Sequence, residues 1–217
     1  MQKKVPVVNQ KQEPQMPTTP WRAAIWMASG KATGFWKKGV FCVRLNQEPS
    51  DNKRQEVVVG IDPGSKREAF TIKSEKHTYL NVLAETPYWI KSAVETRRNA
   101  RIDRRNRKTP YKANKMNRNV GGLPPSTKAR WQWKLRICNW LMKMFPITQF
   151  IIEDVCAVSL KDKRKWNRSF SPLEHGKNWF YGEIRKLGKL TLKEGHQTKA
   201  IRCLWTTEIF KEISGQV

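Results

Sequence analysis

The chain has 217 residues, of which 43 are Lys or Arg and 18 are Asp or Glu, and its formal charge is +25 at pH 7. Self-repulsion at that charge opposes compaction, so a polyanion is the expected partner. The sequence contains no run of about 18 apolar residues and no N-terminal signal core, which argues against a membrane partner and predicts a cytoplasmic, nucleoid-associated protein. Ten Trp and eight Phe can fill a core, so the chain is not a disordered basic tail.

The cysteines and histidines do not suggest a metal or disulfide framework. Cys42, Cys138, Cys156 and Cys203 stand far apart without a CxxC pair, and the three histidines are scattered. We expect ordinary core thiols in a reducing compartment.

Residues 5–45 are predicted to form a small unit. Thr19 is placed as an N-cap, Pro20 as the first helical residue and Gly30 as a stop, which predicts one short helix. The segment 39–45, "GVFCVRL", predicts a strand. The polar, Pro-containing segment 46–56 is interpreted as a linker.

A buried strand is predicted to begin at residue 57. The run "VVVGI" is continuously apolar, as in a strand covered on both faces, and it ends in the turn Asp62-Pro63-Gly64-Ser65. Two further strands, 69–74 and 78–85, follow after short turns. Three sequential strands with tight connections predict an antiparallel meander.

An arginine-rich helix is predicted over residues 91–107, before Pro110. Arg97, Arg101, Arg104 and Lys108 are spaced by four, three and four residues, and Arg98, Arg101 and Arg105 by three and four. Such spacing places side chains along one flank of a helix. The opposite face lacks the Leu and Phe of a membrane-surface helix, so phosphates are the expected contact; a solvated basic face is the alternative.

The second half of the chain predicts two helices and two strands. A helix over 126–145 would bury Trp131, Leu135, Cys138, Met142 and Phe145 on one face. The remaining predicted segments are a basic loop over 111–126, a strand over 148–158, a basic loop over 161–168, a helix over 172–187 and a strand over 190–195.

Two carboxylates stand out because apolar residues surround them. Asp62 ends the first buried strand, and Glu153 lies within the apolar run of the second. The alternatives are a turn-forming role for Asp62 and a core salt bridge from Glu153 to an arginine. If the two strands are neighbours, both carboxylates meet at the sheet edge and suit a hard divalent cation, whereas Asp154 points to the opposite face. Beside a polyanion-binding helix, such a pair points to metal-assisted phosphodiester chemistry.

Four segments within residues 5–202 resemble the N-terminal part of the IscB and IsrB proteins, which are transposon-encoded RNA-guided nucleases related to the ancestors of type II CRISPR effectors. "VPVVNQKQEPQMPTTPWRAAIWMASGKA" resembles their PLMP domain, with Gln15 in place of Leu. "GIDPGSKREAFTI" resembles the first RuvC motif, and "GGLPPSTKARWQWKLRICNWLMKMFPITQFIIEDV" the second. "ETRRNARIDRRNRKTPYKANKMNR" resembles the RRXRR stretch and bridge helix, with Ile102 and Asp103 where small or basic residues are usual.

The resemblance implies an α/β protein with a RuvC-like RNase H fold, a mixed sheet with flanking helices, and a small α+β PLMP-like domain. The implied division is a PLMP-like domain at 1–48, RuvC-like part I at 49–93, the bridge helix and basic loop at 94–119, and RuvC-like part II at 120–217. It assigns Asp62 and Glu153 to catalysis and to binding of Mg²⁺ or Mn²⁺, and it implies guide-type RNA and a DNA target as partners. The implied nucleic-acid contacts are Arg97, Arg98, Arg101, Arg104, Arg105, Arg107, Lys108, Lys112, Lys115 and Arg118.

The chain also departs from the family pattern. After "TKAIR" it continues as "CLWTTEIFKEISGQV", which does not resemble the third acidic motif, and there is no HNH insertion. Glu208 and Glu212 are spaced for one helix face, but a solvated helix end is the expected role. We therefore expect a truncated and catalytically impaired nuclease, unless a partner chain supplies the missing motif. The alternatives are a non-enzymatic RNA-binding remnant and a basic structural RNA-binding protein of ribosomal type.

Overall fold

The structure is a computed structural model that describes residues 4–48, 54–64, 66–107, 123–154 and 172–194. The predicted loop at 161–168, most of the loop at 111–126, and Glu208 and Glu212 lie outside these ranges. No helix in the described ranges is long and apolar enough to cross a membrane. In chain order, the elements are β1 (Val5–Val8), β2 (Pro14–Thr18), α1 (Pro20–Ala28), β3 (Ala32–Lys37), β4 (Val40–Leu45), β5 (Val58–Asp62), β6 (Arg67–Lys73), β7 (Thr78–Glu85), α2 (Trp89–Asn106), α3 (Pro125–Met142), β8 (Gln149–Asp154), α4 (Pro172–Leu187) and β9 (Lys189–Glu194).

The N-terminal strands form a four-stranded sheet in the order β2-β1-β4-β3. Helix α1 begins as predicted, because the Thr19 hydroxyl accepts a hydrogen bond from the Arg22 amide and Pro20 is the first helical residue. Gly30 follows the helix with a φ of 69°, a conformation that favours glycine. One strand of this sheet, β4, was predicted from the sequence, and β1, β2 and β3 were missed. Strands β1 and β2 are short, and the two prolines of β2 weaken its strand pattern.

The second sheet has five strands in the order β7-β6-β5-β8-β9. The predicted meander is confirmed, since β5 pairs antiparallel with β6 and β6 with β7. On the other side of β5, the pairs β5–β8 and β8–β9 are parallel. Strand β5 is therefore central, which explains its continuous apolar run.

Helices α3 and α4 cover one face of this sheet. Their buried side chains join one core cluster with alternate residues of β5, β6 and β8, and Cys42 of β4 belongs to the same cluster. The predicted inner face of α3 is corrected: Trp131, Lys134, Cys138 and Leu141 are buried, and Leu135 and Met142 are only partly buried. Phe145 is buried, but it lies beyond the end of the helix. An apolar pattern could not show that position 134 faces inward, because its residue is a lysine.

The contact between α3 and α4 predicts opposite effects for two Gly→Ala changes in α4. A Cβ at Gly176 would lie 1.9 Å from Nε1 of Trp131, whereas a Cβ at Gly182 would meet nothing within 4 Å. We expect Gly176→Ala to lower the free energy of unfolding by about 1–3 kcal/mol through overpacking. Gly182→Ala is expected to raise it by about 0.5–1 kcal/mol, because alanine loses less backbone entropy in a helix. Urea denaturation measures both; equal effects would contradict this packing.

Candidate metal centre and nucleic-acid interface

Asp62 and Glu153 lie beside each other at the ends of two adjacent parallel strands. Ile61 of β5 pairs with Ile152 of β8, and each carboxylate is the next residue on its strand. Residues in register on neighbouring strands point to the same face of a sheet, so the two side chains share a face. Both are half-buried. The condition for a shared site, that the two strands are neighbours, is therefore met.

The turn after Asp62 depends on glycine. A Cβ at Gly64 would lie 1.7 Å from the carbonyl oxygen of Arg67. Asp62 itself is the last residue of β5 and pairs with Ala69 of β6. Its position is thus defined by the sheet as well as by the turn.

The alternative role of Glu153, a core salt bridge, is not found in the part of the chain that the structure describes. The ion pairs within that part do not include Glu153. Glu153 also lies at the half-buried end of β8, after four buried residues. Its carboxylate therefore lies near the carboxyl end of β8, where a cation can approach.

Asp154 faces the other side of the sheet, as predicted. Its Oδ1 lies 2.7 Å from Lys177 Nζ and accepts a hydrogen bond of 3.0 Å from the Tyr181 hydroxyl. Lys177 also contacts Glu174 at 3.0 Å. Burial disfavours the ammonium group, but the hydrogen bonds to the two carboxylates outweigh burial and raise the pKa of Lys177. Asp154 therefore links β8 to α4 and does not contribute to the site formed by Asp62 and Glu153.

Sequence reasoning missed a buried ion pair between β6 and α3. Lys134 Nζ lies 2.6 Å from Glu68 Oε1 and 4.1 Å from the centre of the Trp131 ring. Burial raises the pKa of Glu68 and lowers that of Lys134, and each charge opposes the shift of the other; Asp62 adds to the rise at Glu68. The signal for Glu68 was present, because it alternates with the buried Phe70 and Ile72.

One oxygen of this pair has no partner among the described residues. Glu68 is 2% exposed, and its Oε2 atom is buried without a hydrogen bond there. Leaving such an acceptor unpaired costs about 1–3 kcal/mol. A hydrogen-bond donor placed next to Glu68 Oε2 would remove this cost.

A cavity of about 500 Å³ opens at the carboxyl ends of β5 and β8. It reaches Ile90 and Val94 in the first part of α2, so the arginine-rich helix begins near Glu153, which also lines the cavity, whereas Asp62 is not among the lining residues. The other lining residues that matter here are Glu68, Trp133 and Lys134.

Helix α2 confirms the predicted helix within two residues, and its second part is exposed on every side. Ile90 is its buried residue, whereas residues 98–107 are all exposed. Arg97 is half-buried, and its Nε donates to the Ala93 carbonyl at 3.0 Å. Of the predicted contacts, Arg98, Arg101, Arg104, Arg105 and Arg107 are exposed, and Lys108, Lys112, Lys115 and Arg118 lie outside the described residues. A polar helix without a buried stripe is suited to a partner rather than to the core.

The carboxylate pair supplies only oxygen donors, which suits a hard ion such as Mg²⁺. No group of three or more His, Cys, Asp or Glu positioned for a metal occurs among the described residues. The donor type thus fits a divalent cation, which Asp62 and Glu153 would hold.

Fold and site together define an α/β protein that has paired carboxylates at the ends of parallel strands and an exposed arginine helix beside them. The family model described as "RRXRR protein" matches residues 5–164, which is 160 of the 217 residues. The chain belongs to the RRXRR family. A search of curated proteins finds no match.

Proposed function

We propose that the chain is a nucleic-acid-binding protein of the IscB- and IsrB-like, RNA-guided endonuclease family, and that the second sheet is a RuvC-like RNase H fold. Two observations support this fold. The sheet is an antiparallel meander followed by two parallel strands, and acidic residues end its first and fourth strands in chain order, β5 and β8. Guide-type RNA and DNA are the partners that this proposal implies.

The proposed reaction is metal-dependent hydrolysis of a phosphodiester bond at Asp62 and Glu153. The juxtaposition of these two carboxylates on β5 and β8 carries the proposal. Two anions at close range repel, so they favour a shared cation, here Mg²⁺ or Mn²⁺. When bound, the metal supplies an oriented water molecule and stabilises the leaving oxygen. The arginines of α2 hold the phosphate backbone near the pair.

Hydrolysis with only these two ligands is expected to be slow. Positioning contributes much of the rate in such reactions, and two carboxylates hold an ion less firmly than three or four. A third oxygen donor would come from outside the described residues or from a partner chain.

A cleavage assay tests the proposal. The full chain, purified with the RNA that it carries, is incubated with Mg²⁺ and labelled single- and double-stranded DNA. We expect Asp62→Asn and Glu153→Gln each to reduce cleavage at least about tenfold, because each removes a metal-binding charge. Glu75→Gln, at an exposed turn, serves as the matched control. Undiminished cleavage by Asp62→Asn would reject this site.

A non-enzymatic RNA-binding protein is the second candidate function. The two-ligand set of the described residues favours it, because the exposed arginines of α2 bind RNA without a metal. RNA retained by every variant, with no cleavage by the unaltered chain, would support this alternative.

A further inference from the structure

The cavity beside β5 and β8 is lined by aromatic and apolar side chains that a metal site does not require. Its walls combine the indole of Trp133 with the apolar side chains of Ile90 and Val94. Trp133 is half-buried. A volume of about 500 Å³ lies in the range of small-molecule sites, which is roughly 300–1,000 Å³.

The unpaired acceptor defines what such a ligand must offer. Glu68 lines the cavity, and its Oε2 has no hydrogen-bond partner among the described residues, because Lys134 contacts Oε1. A carboxylate accepts only, so the ligand must present an N–H or O–H donor. A phosphate oxygen accepts as well, so it does not suit this position.

Three basic residues, Arg130, Lys134 and Lys177, also line the cavity, but Lys134 and Lys177 are paired with carboxylates. A flat ring with N–H donors on one edge satisfies the hydrogen-bonding condition. Arg130 is exposed and can contact a phosphate attached to such a ring.

We propose that the cavity binds one unstacked guanine of a single strand, with the base N–H groups donating to Glu68 Oε2 and the ring stacking on Trp133. The inference rests on the nucleic-acid binding proposed above. Guanine presents two adjacent donors, N1–H and the 2-amino group. Uracil presents one N–H between two carbonyls, which repel a carboxylate. Stacking of bases on aromatic side chains is the usual way in which proteins hold unpaired bases.

The test compares short single-stranded RNAs on the full chain after removal of co-purified nucleic acid. One RNA is all uridine, one carries a single guanosine, and one carries inosine at that position, which removes the 2-amino group. Fluorescence anisotropy is expected to show about tenfold tighter binding of the guanosine RNA than of the uridine RNA, with inosine between them. Glu68→Gln and Trp133→Leu are each expected to bring the guanosine-to-uridine ratio near one, whereas Glu75→Gln keeps it.

Trp133→Leu leaves the Glu68–Lys134 pair in place, so the test remains decisive if Glu68→Gln fails to fold. Binding of all three RNAs with equal affinity would overturn the guanine site while leaving the proposed function intact. Binding of none of them would overturn both.

Discussion

Replacing Arg98, Arg101 and Arg105 with Gln is expected to halve the salt dependence of nucleic-acid binding. These side chains lie on the exposed part of α2. If about six basic side chains of the bridge-helix segment contact phosphates, affinity should fall roughly a thousandfold between about 50 and 200 mM salt. With three contacts left, the fall should be only about fortyfold over the same range. Anisotropy titrations at several salt concentrations give the slope.

A matched variant separates local contacts from net charge. Lys11→Gln, Lys31→Gln and Lys76→Gln together remove the same charge from exposed positions outside α2. We expect this variant to retain nearly the full salt slope. Equal slopes for the two variants would mean that α2 has no special role.

Lys134→Met is expected to lower the free energy of unfolding by about 3–5 kcal/mol, because it leaves a buried carboxylate without its cation. Glu68 is 2% exposed, and Lys134 Nζ is its partner at 2.6 Å. Burial already raises the pKa of Glu68 above its ordinary value of 4.5, and loss of the lysine removes the main opposing charge. A raised folded-state pKa means that stability is retained below the unfolded pKa and lost as pH rises through the folded pKa. The destabilisation should therefore be smallest below about pH 4 and grow towards neutrality.

The double variant Glu68→Leu/Lys134→Met is the control for this pair. Apolar replacement of both partners of a buried ion pair is often neutral or stabilising. We expect the double variant to recover most of the stability that Lys134→Met loses, as measured by urea denaturation at pH 7 and pH 4. A double variant less stable than Lys134→Met would contradict the account of the pair.

Local patterns predicted the strands around the candidate site. Three features depend only on residues close together in the chain and were therefore recognised in the sequence: the apolar run before Asp62, the turn at Gly64 and the alternation of β7. The pairing of β5 with β8 joins residues about ninety positions apart, and the sequence supports it only as a hypothesis. Strand β2 was missed because its prolines suppress the strand pattern.

The partners and surroundings of charged residues were also hard to predict from the sequence. Glu153 was singled out because its neighbours are apolar, whereas no local pattern shows that Glu68 pairs with Lys134, which lies 66 residues further along the chain. The exposure of α2 was also not predictable, since periodicity shows that arginines share a flank but not whether a partner element covers it.

Metal binding tests the central claim most directly, because it does not depend on turnover. The full chain is titrated with Mn²⁺ and free metal is followed by electron paramagnetic resonance. We expect a bound ion that is lost in Asp62→Asn and in Glu153→Gln and retained in Asp154→Asn, whose side chain contacts Lys177 on the opposite face. Equal Mn²⁺ binding by all three variants, or its loss only in Asp154→Asn, would contradict a metal centre at Asp62 and Glu153.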